Sequence, residues 1–240
     1  MCIENLKSII QTSNNIVFFG GAGVSTESGI PDFRSSTGLY KTKNNFHYPP
    51  ETMLSHSFFI KNTEDFYEFY KTNMIYKSVK PNAAHLALAA MEKLGKLKAV
   101  ITQNIDGLHQ AGGSKEVLEL HGSVHRNHCT ECNKFFNLQY ILNSSVIPKC
   151  NICQGVIKPD VVLYEENLNM DILSKAISYI QNSEVLIIGG TSLNVYPATS
   201  LIKYFNGNKL ILINKSSTPF DSKADIVIHE NIGKVLSNIL

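Results

Sequence analysis

Seven short apolar runs, rich in β-branched residues, recur along the chain: NIVFFGG, KAVITQN, EVLELHG, DVVLYEE, EVLIIGG, KLILINK and ADIVIHE. Most are too continuously apolar to be strands with one wet face, so they are expected to be buried on both faces. Between them lie stretches of helical spacing, NTEDFYEFYKTNMIYKSV, NAAHLALAAMEKLG, NMDILSKAISYIQN and NIGKVLSNIL. Strand and helix alternating in this way leave few solutions, and the expected one is an α/β fold with a mostly parallel sheet covered on both sides.

Two stretches break the rhythm. PDFRSSTGLYKTKNNFHYPPE, after residue 30, is rich in Pro, Ser, Thr and Asn and is expected to be a loop leading into helical segments. Residues 124–158 are polar, lack a helical period and contain CTEC and CNIC, with 17 residues between the two pairs. The expected organisation is a main domain from 1–30, 81–123 and 159–240, a loop and helical module at 31–80, and a metal-binding module at 124–158.

With 43% hydrophobic and 18% charged residues the chain can bury a large core. Its net charge of +2 comes from scattered side chains, which argues against a dedicated nucleic-acid or membrane surface. The N-terminal MCIENLKSII does not read as a leader, and no run approaches the roughly 20 apolar residues of a membrane span. The expectation is a cytoplasmic protein. No apolar surface stripe stands out, so a monomer is expected.

In a reducing compartment the paired cysteines point to metal more readily than to disulfides. Cys129, Cys132, Cys150 and Cys153 would close a tetrahedral shell around one zinc ion, leaving no position for water or substrate. Such a site is structural. A redox dithiol would explain one pair and not both, while His125 and His128 stand near enough to be alternative ligands.

FFGGAGVSTESGIPDFR follows the first apolar run. Gly21 and Gly23 allow a tight turn and close approach of a pyrophosphate, met by backbone N–H groups and a helix start. The run departs from the usual G-x-G-x-x-G spacing, with Thr26 at the third glycine position. Ligands of open α/β sheets lie beyond the carboxyl ends of the strands, so Gly190, Thr191, Ser192 and Asn214 are expected near the same ligand as Gly21 and Ala22. His121, at the end of ELHG, has a reference pKa of about 6.5 that suits a general base near neutrality. In VITQNIDGLH an apolar strand runs into Gln103, Asn104, Asp106 and His109, four polar side chains at one strand end.

Taken together, GAGVSTESGIPDFR, TQNIDGLH, HG, the two C-x-x-C pairs, GTSLNVYP and INK resemble, in content and order, the sirtuin family of NAD-dependent protein deacylases. The resemblance spans residues 15 to 230 or so. It implies a Rossmann-like doubly wound parallel sheet with a smaller zinc-binding and helical insertion domain. It also implies that acetyl-lysine is converted with NAD to free lysine, nicotinamide and 2′-O-acetyl-ADP-ribose.

By the same resemblance, Gln103, Asn104, Ile105 and Asp106 hold the nicotinamide ribose and carboxamide, and His121 is the general base, with Asn104 beside it in catalysis. Ala22 and Thr26 serve the phosphates and ribose, and Phe33 and Arg34 cover the nicotinamide side. Thr191, Ser192 and Asn214 reach the adenosine half, with Ile232 near adenine. Val162 contacts acyl-lysine through its backbone in a strand-addition site. There the family's Phe and Gly are replaced by Tyr164 and Glu165, and a charged Glu165 is expected to favour basic flanks.

Family members that take succinyl or malonyl groups carry Tyr-x-x-Arg, whereas this chain has Tyr67 and Tyr70, so acetyl or a longer uncharged acyl group is expected. Protein mono-ADP-ribosyl transfer is the closer rival activity. A hydride-transferring dehydrogenase fits the altered glycine run and the four-cysteine insertion poorly.

Overall fold

The computed structural model describes residues 2–33, 35, 38–39, 48–194 and 196–239. Most of the interrupting loop after residue 30, Arg34 included, lies outside them. Along the chain run α1 (Cys2–Thr12), β1 (Ile16–Gly20), α2 (Pro50–Met53), α3 (His56–Lys61), α4 (Thr63–Asn73), α5 (Ala83–Lys93), β2 (Leu97–Thr102) and α6 (Leu108–Ala111). These are followed by β3 (Val117–Glu119), β4 (Gly122–Cys129), β5 (Phe135–Asn137), α7 (Leu138–Asn143), β6 (Ile157–Val161), α8 (Met170–Asn182), β7 (Val185–Gly189), β8 (Lys209–Ile213), β9 (Ile226–Ile228) and α9 (Ile232–Ser237).

Six strands form one parallel sheet in the order β3-β2-β1-β7-β8-β9, parallel as the alternating runs imply and doubly wound as the family resemblance implies. In β1 all five residues are buried, and the two-residue period splits them between faces. Ile16 and Phe18 pack under α1, α5 and α9 with Leu6, Leu88, Met91 and Val235, while Val17 and Phe19 meet Ala176 and Ile180 of α8 on the other side. Asn82 and Asn169 start α5 and α8 by accepting from Ala84 N at 2.9 Å and Asp171 N at 2.9 Å, satisfying N–H groups that a first turn leaves without partners. No helix of the described residues is long and apolar enough to cross a membrane.

A second, antiparallel sheet, β5-β4-β6, carries the cysteines. The polar stretch expected only as an insertion thus contains strands and the short α7. Its apolar side joins a third cluster, in which Phe66, Tyr67, Phe69 and Tyr70 of α4 pack against Phe136, Ile141 and Ile157. The run DVVLYEE, expected as a strand, enters β6 only through Asp160 and Val161; beyond them an isolated parallel bridge joins Tyr164 to Ser55.

Gly122 starts β4 at φ +73°, where an added Cβ would overlap the carbonyl of Asp160 on β6. Left-handed backbone and overpacking together put the cost of Gly122→Ala at about 2–5 kcal/mol. An unfolding free energy, from urea titration, lowered by less than about 1 kcal/mol would show that β4 and β6 do not close here.

Candidate active site

The direction in which the chain leaves the sheet reverses between β1 and β7, so a crevice opens beyond their carboxyl ends. The Gly-rich turn sits there, with Gly23 N donating to Gly190 O at 2.7 Å. A Cβ on Gly23 would lie 2.8 Å from Gly190 Cα, and one on Gly21 2.9 Å from Thr191 Cβ, so glycine is what lets the two strand ends meet. Ala22 opens a 3-10 turn, and Thr26 donates its hydroxyl to Gly23 O at 2.9 Å.

From β2, Gln103 Nε2 donates to Thr191 Oγ1 at 3.2 Å, and Thr191 N donates to Asn214 Oδ1 at 3.0 Å. Three strand ends are therefore laced together. Ser192 is exposed beside them. Asn214 Nδ2 and Asn231 Oδ1 are buried with no partner among the described residues. Orphaned amide groups beside a glycine cradle fit a polar ligand such as NAD, because a buried polar group without a partner is costly.

Ser25 joins the next group. Only 1% exposed, it donates to Asp106 Oδ2 at 2.7 Å and accepts from Asn104 Nδ2 at 3.1 Å. Asp106 Oδ1 also accepts from Leu108 N at 2.8 Å. Burial pushes the Asp106 carboxyl up, opposed by these bonds from Leu108 and Ser25. Ser25 was not singled out from the sequence; the available signal was a hydroxyl directly after the glycine turn.

His109 departs from its neighbours. It is 1% exposed and packs on His85, ring centroids 4.7 Å apart, and burial pulls His109 down to about 3 and His85 to about 4. Both are neutral core residues.

His121 occupies the turn between β3 and β4, and its Nδ1 donates to Gln103 O at 3.0 Å. That bond selects the tautomer whose Nε2 carries the lone pair. Burial lowers the His121 pKa, and the Gln103 bond partly opposes the shift, so the ring is neutral at pH 7 and can take a proton. Its carbonyl accepts from Val162 N at 3.0 Å, which sets the 162–166 segment beside it. Phe33 and Ile105 pack against the small-sheet cluster. Ile232 is buried, and a Cβ on Gly189 would overlap its Cδ1, so its side chain packs in the core behind the end of β7.

Tyr164 is 41% exposed, whereas the Glu165 carboxylate turns to Ser57, accepting from its N at 2.9 Å and its Oγ at 3.0 Å. A carboxylate so engaged is a weak lure for basic flanks.

The four cysteine Sγ atoms lie within 4.8 Å of one another, with Cys129–Cys153 at 3.4 Å and Cys132–Cys150 at 3.6 Å. Zinc–sulfur bonds of about 2.3 Å place tetrahedral ligands roughly 3.8 Å apart, so the set fits one ion. After each pair a left-handed residue, Asn133 at φ +56° and Gln154 at φ +63°, turns the chain back. His128 instead faces the Phe135 ring, and His125 Nε2 contacts Asp106 O at 3.0 Å, so neither belongs to the cluster.

Residues 21–197 match the Sir2 family. An NAD-dependent protein deacetylase of Clostridium tetani is 68% identical over 238 residues, covering 99% of this chain and 96% of that protein. A solved Sir2 variant with deacetylated p53 peptide and 3′-O-acetyl-ADP-ribose superposes with a TM-score of 0.91 at 37% identity, covering 100% of this chain and 97% of that one. A Sir2–p53 peptide–NAD+ structure gives 0.87 at 37% identity with the same coverage. Likeness of sequence and fold along the whole chain, added to the motif order, makes one assignment: this chain belongs to the Sir2 family.

Proposed function

We propose that the chain is an NAD-dependent protein lysine deacetylase that transfers the acetyl group of acetyl-lysine to ADP-ribose. The observation that carries this reading is His121, neutral and fixed as one tautomer, held by the carbonyl of Gln103 at the head of the 103–106 run. NAD, once nicotinamide leaves, supplies an electrophilic ribose carbon for the acetyl oxygen.

In this reading Gln103, Asn104, Ile105 and Asp106 orient the nicotinamide ribose, and His121 Nε2 takes the proton of a ribose hydroxyl. Gly21, Ala22, Gly23 and Thr26 take the phosphates, and Gly190, Thr191, Ser192 and Asn214 take the adenosine half, with Ile232 near adenine. Phe33, with Arg34, excludes water from the reacting sugar. Val162 offers backbone to the peptide, with Tyr164 beside it. One zinc on Cys129, Cys132, Cys150 and Cys153 would hold the module's fold and take no chemical role.

An uncharged acyl group is favoured because Tyr70 is fully buried and stacked on Phe66, while Lys71 gives its ammonium to Ser145 O at 2.8 Å. No cation is thereby offered to an acyl carboxylate from this part of α4. The same reading takes the protein as a cytoplasmic monomer without nucleic-acid or membrane partners. It divides the chain at 31–80 and 124–158, a division supported by the separate apolar cluster those two parts share.

The test is an acetyl-lysine peptide incubated with and without NAD, with all products followed by mass spectrometry. Loss of acetyl only with NAD, matched by equal nicotinamide and O-acetyl-ADP-ribose, is expected. Nicotinamide release with the acetyl retained would replace the reading with ADP-ribosyl transfer.

A further inference from the structure

Beyond Val161 the chain makes a short turn fastened to the start of α3. Tyr164 N donates to Leu54 O at 2.9 Å, His56 N donates to Tyr164 O at 2.9 Å, and Glu166 N closes the turn on Leu163 O at 3.0 Å. Inside it Glu165 has φ +76°, one of four non-glycine residues with positive φ among the described residues. Two of the others follow the cysteine pairs. An L-residue with a full side chain is strained in this region and stays there only where its surroundings hold it.

What holds Glu165 is Ser57. Both carboxylate oxygens are used, one on Ser57 N at 2.9 Å and the other on Ser57 Oγ at 3.0 Å. Ser57 lies in the first turn of α3, whose backbone N–H groups lack helical partners. The next residue repeats the device: Glu166 meets His56 Nδ1 at 2.8 Å, Lys158 Nζ at 3.0 Å and Leu163 N at 2.9 Å. Two successive carboxylates thus grip two successive residues at one helix start. The segment they close is Val162–Tyr164, which is tied to His121 at its other end through Val162 N.

We propose that Glu165 is a positioning residue that clasps α3 and so sets the register in which Val162–Tyr164 meets the acyl-lysine peptide. This rests on the reading above that the segment binds peptide. Strain and clasp oppose each other, which gives a specific rank among variants. Glu165→Ala keeps the strain and loses both bonds. Glu165→Gly loses the bonds and the strain together. Glu165→Gln retains length and one acceptor.

The expected result is a rise in peptide KM of roughly tenfold for Glu165→Ala, the scale of one lost charged hydrogen bond. A smaller rise is expected for Glu165→Gly and the smallest for Glu165→Gln. The loss in kcat/KM should be carried by KM for the peptide and not by KM for NAD. Ser57→Ala should follow Glu165→Ala in direction. Amide exchange at residues 162–166 should quicken in the same rank, a readout that does not depend on turnover.

A kcat loss at unchanged peptide KM would overturn the proposal, as would unchanged exchange in Glu165→Ala. A KM rise confined to peptides with basic flanks would also overturn it, showing Glu165 to act as a surface charge. If the wild-type protein removes no acetyl group yet the exchange rank holds, the deacetylase reading fails and the clasp stands.

Discussion

Replacing His121 by alanine is expected to lower kcat for acetyl-lysine peptide by about 10²–10⁴-fold, the usual range for loss of a positioned general base. The substitution removes the imidazole and its Nδ1 bond to Gln103 O, but not the glycine turn or the Gln103–Thr191–Asn214 chain. NAD binding, measured calorimetrically without peptide, should therefore change far less than turnover. The pH dependence follows from the same site. Burial disfavours the imidazolium, so the folded pKa lies below 6.5, and the neutral base persists as pH falls through that value. The acid limb of kcat/KM should accordingly lie below pH 6.5 and vanish in His121→Ala. An acid limb above pH 7, or a variant within threefold of wild type, would remove His121 from the chemistry.

The parallel sheet was legible because its strands are buried on both faces, and continuous apolar runs such as IVFFG and VLIIG have few other homes. The small sheet was not. In β4 the burial pattern mixes buried Asn127 with exposed His125, so neither a two-residue nor a 3.6-residue period appears in its sequence. Its strands are decided by the register against β5 and β6 and by the cysteine cluster, both long-range facts.

In the site, His121 and the 103–106 run stood out because polar residues at the ends of apolar strands have little structural reason to be there. Ser25 did not, since a serine after glycines looks like any turn residue, and only tertiary closure brings Asp106 and Asn104 to it. His109 was the reverse case, a polar residue at a strand end that turns inward to His85. Glu165 shows a third limit. Its identity was visible, but the direction of its carboxylate depends on Ser57, 108 residues away in sequence.

Removing the metal should produce the largest loss of stability. Cys129 and Cys150 are buried, and they belong to the same apolar cluster as Phe66, Tyr67 and Tyr70 of α4, so the thiolate cage and the aromatic core are one packing unit. Tyr67 adds a tie by donating its hydroxyl to Ile157 O on β6. Structural zinc sites in small domains are worth about 10–16 kcal/mol of binding free energy, much of it folding free energy. Four thiolates brought within 4.8 Å would otherwise repel one another.

Chelation at neutral pH, or Cys150→Ser, is thus expected to release one zinc per chain and lower Tm by about 10 °C or more, the shift that roughly 3 kcal/mol gives a chain of this size. The near-UV signal of the α4 tyrosines should fade with it, and turnover should disappear with the signal, because Val161 and the 162–166 segment are continuous with β6. Re-addition of zinc to the chelated protein, though not to Cys150→Ser, should restore all three, while a thiol reductant alone should restore none, which separates a structural ion from a redox dithiol. A protein that loses its metal but keeps its Tm and near-UV spectrum would show that β4, β5 and β6 hold together on apolar packing alone.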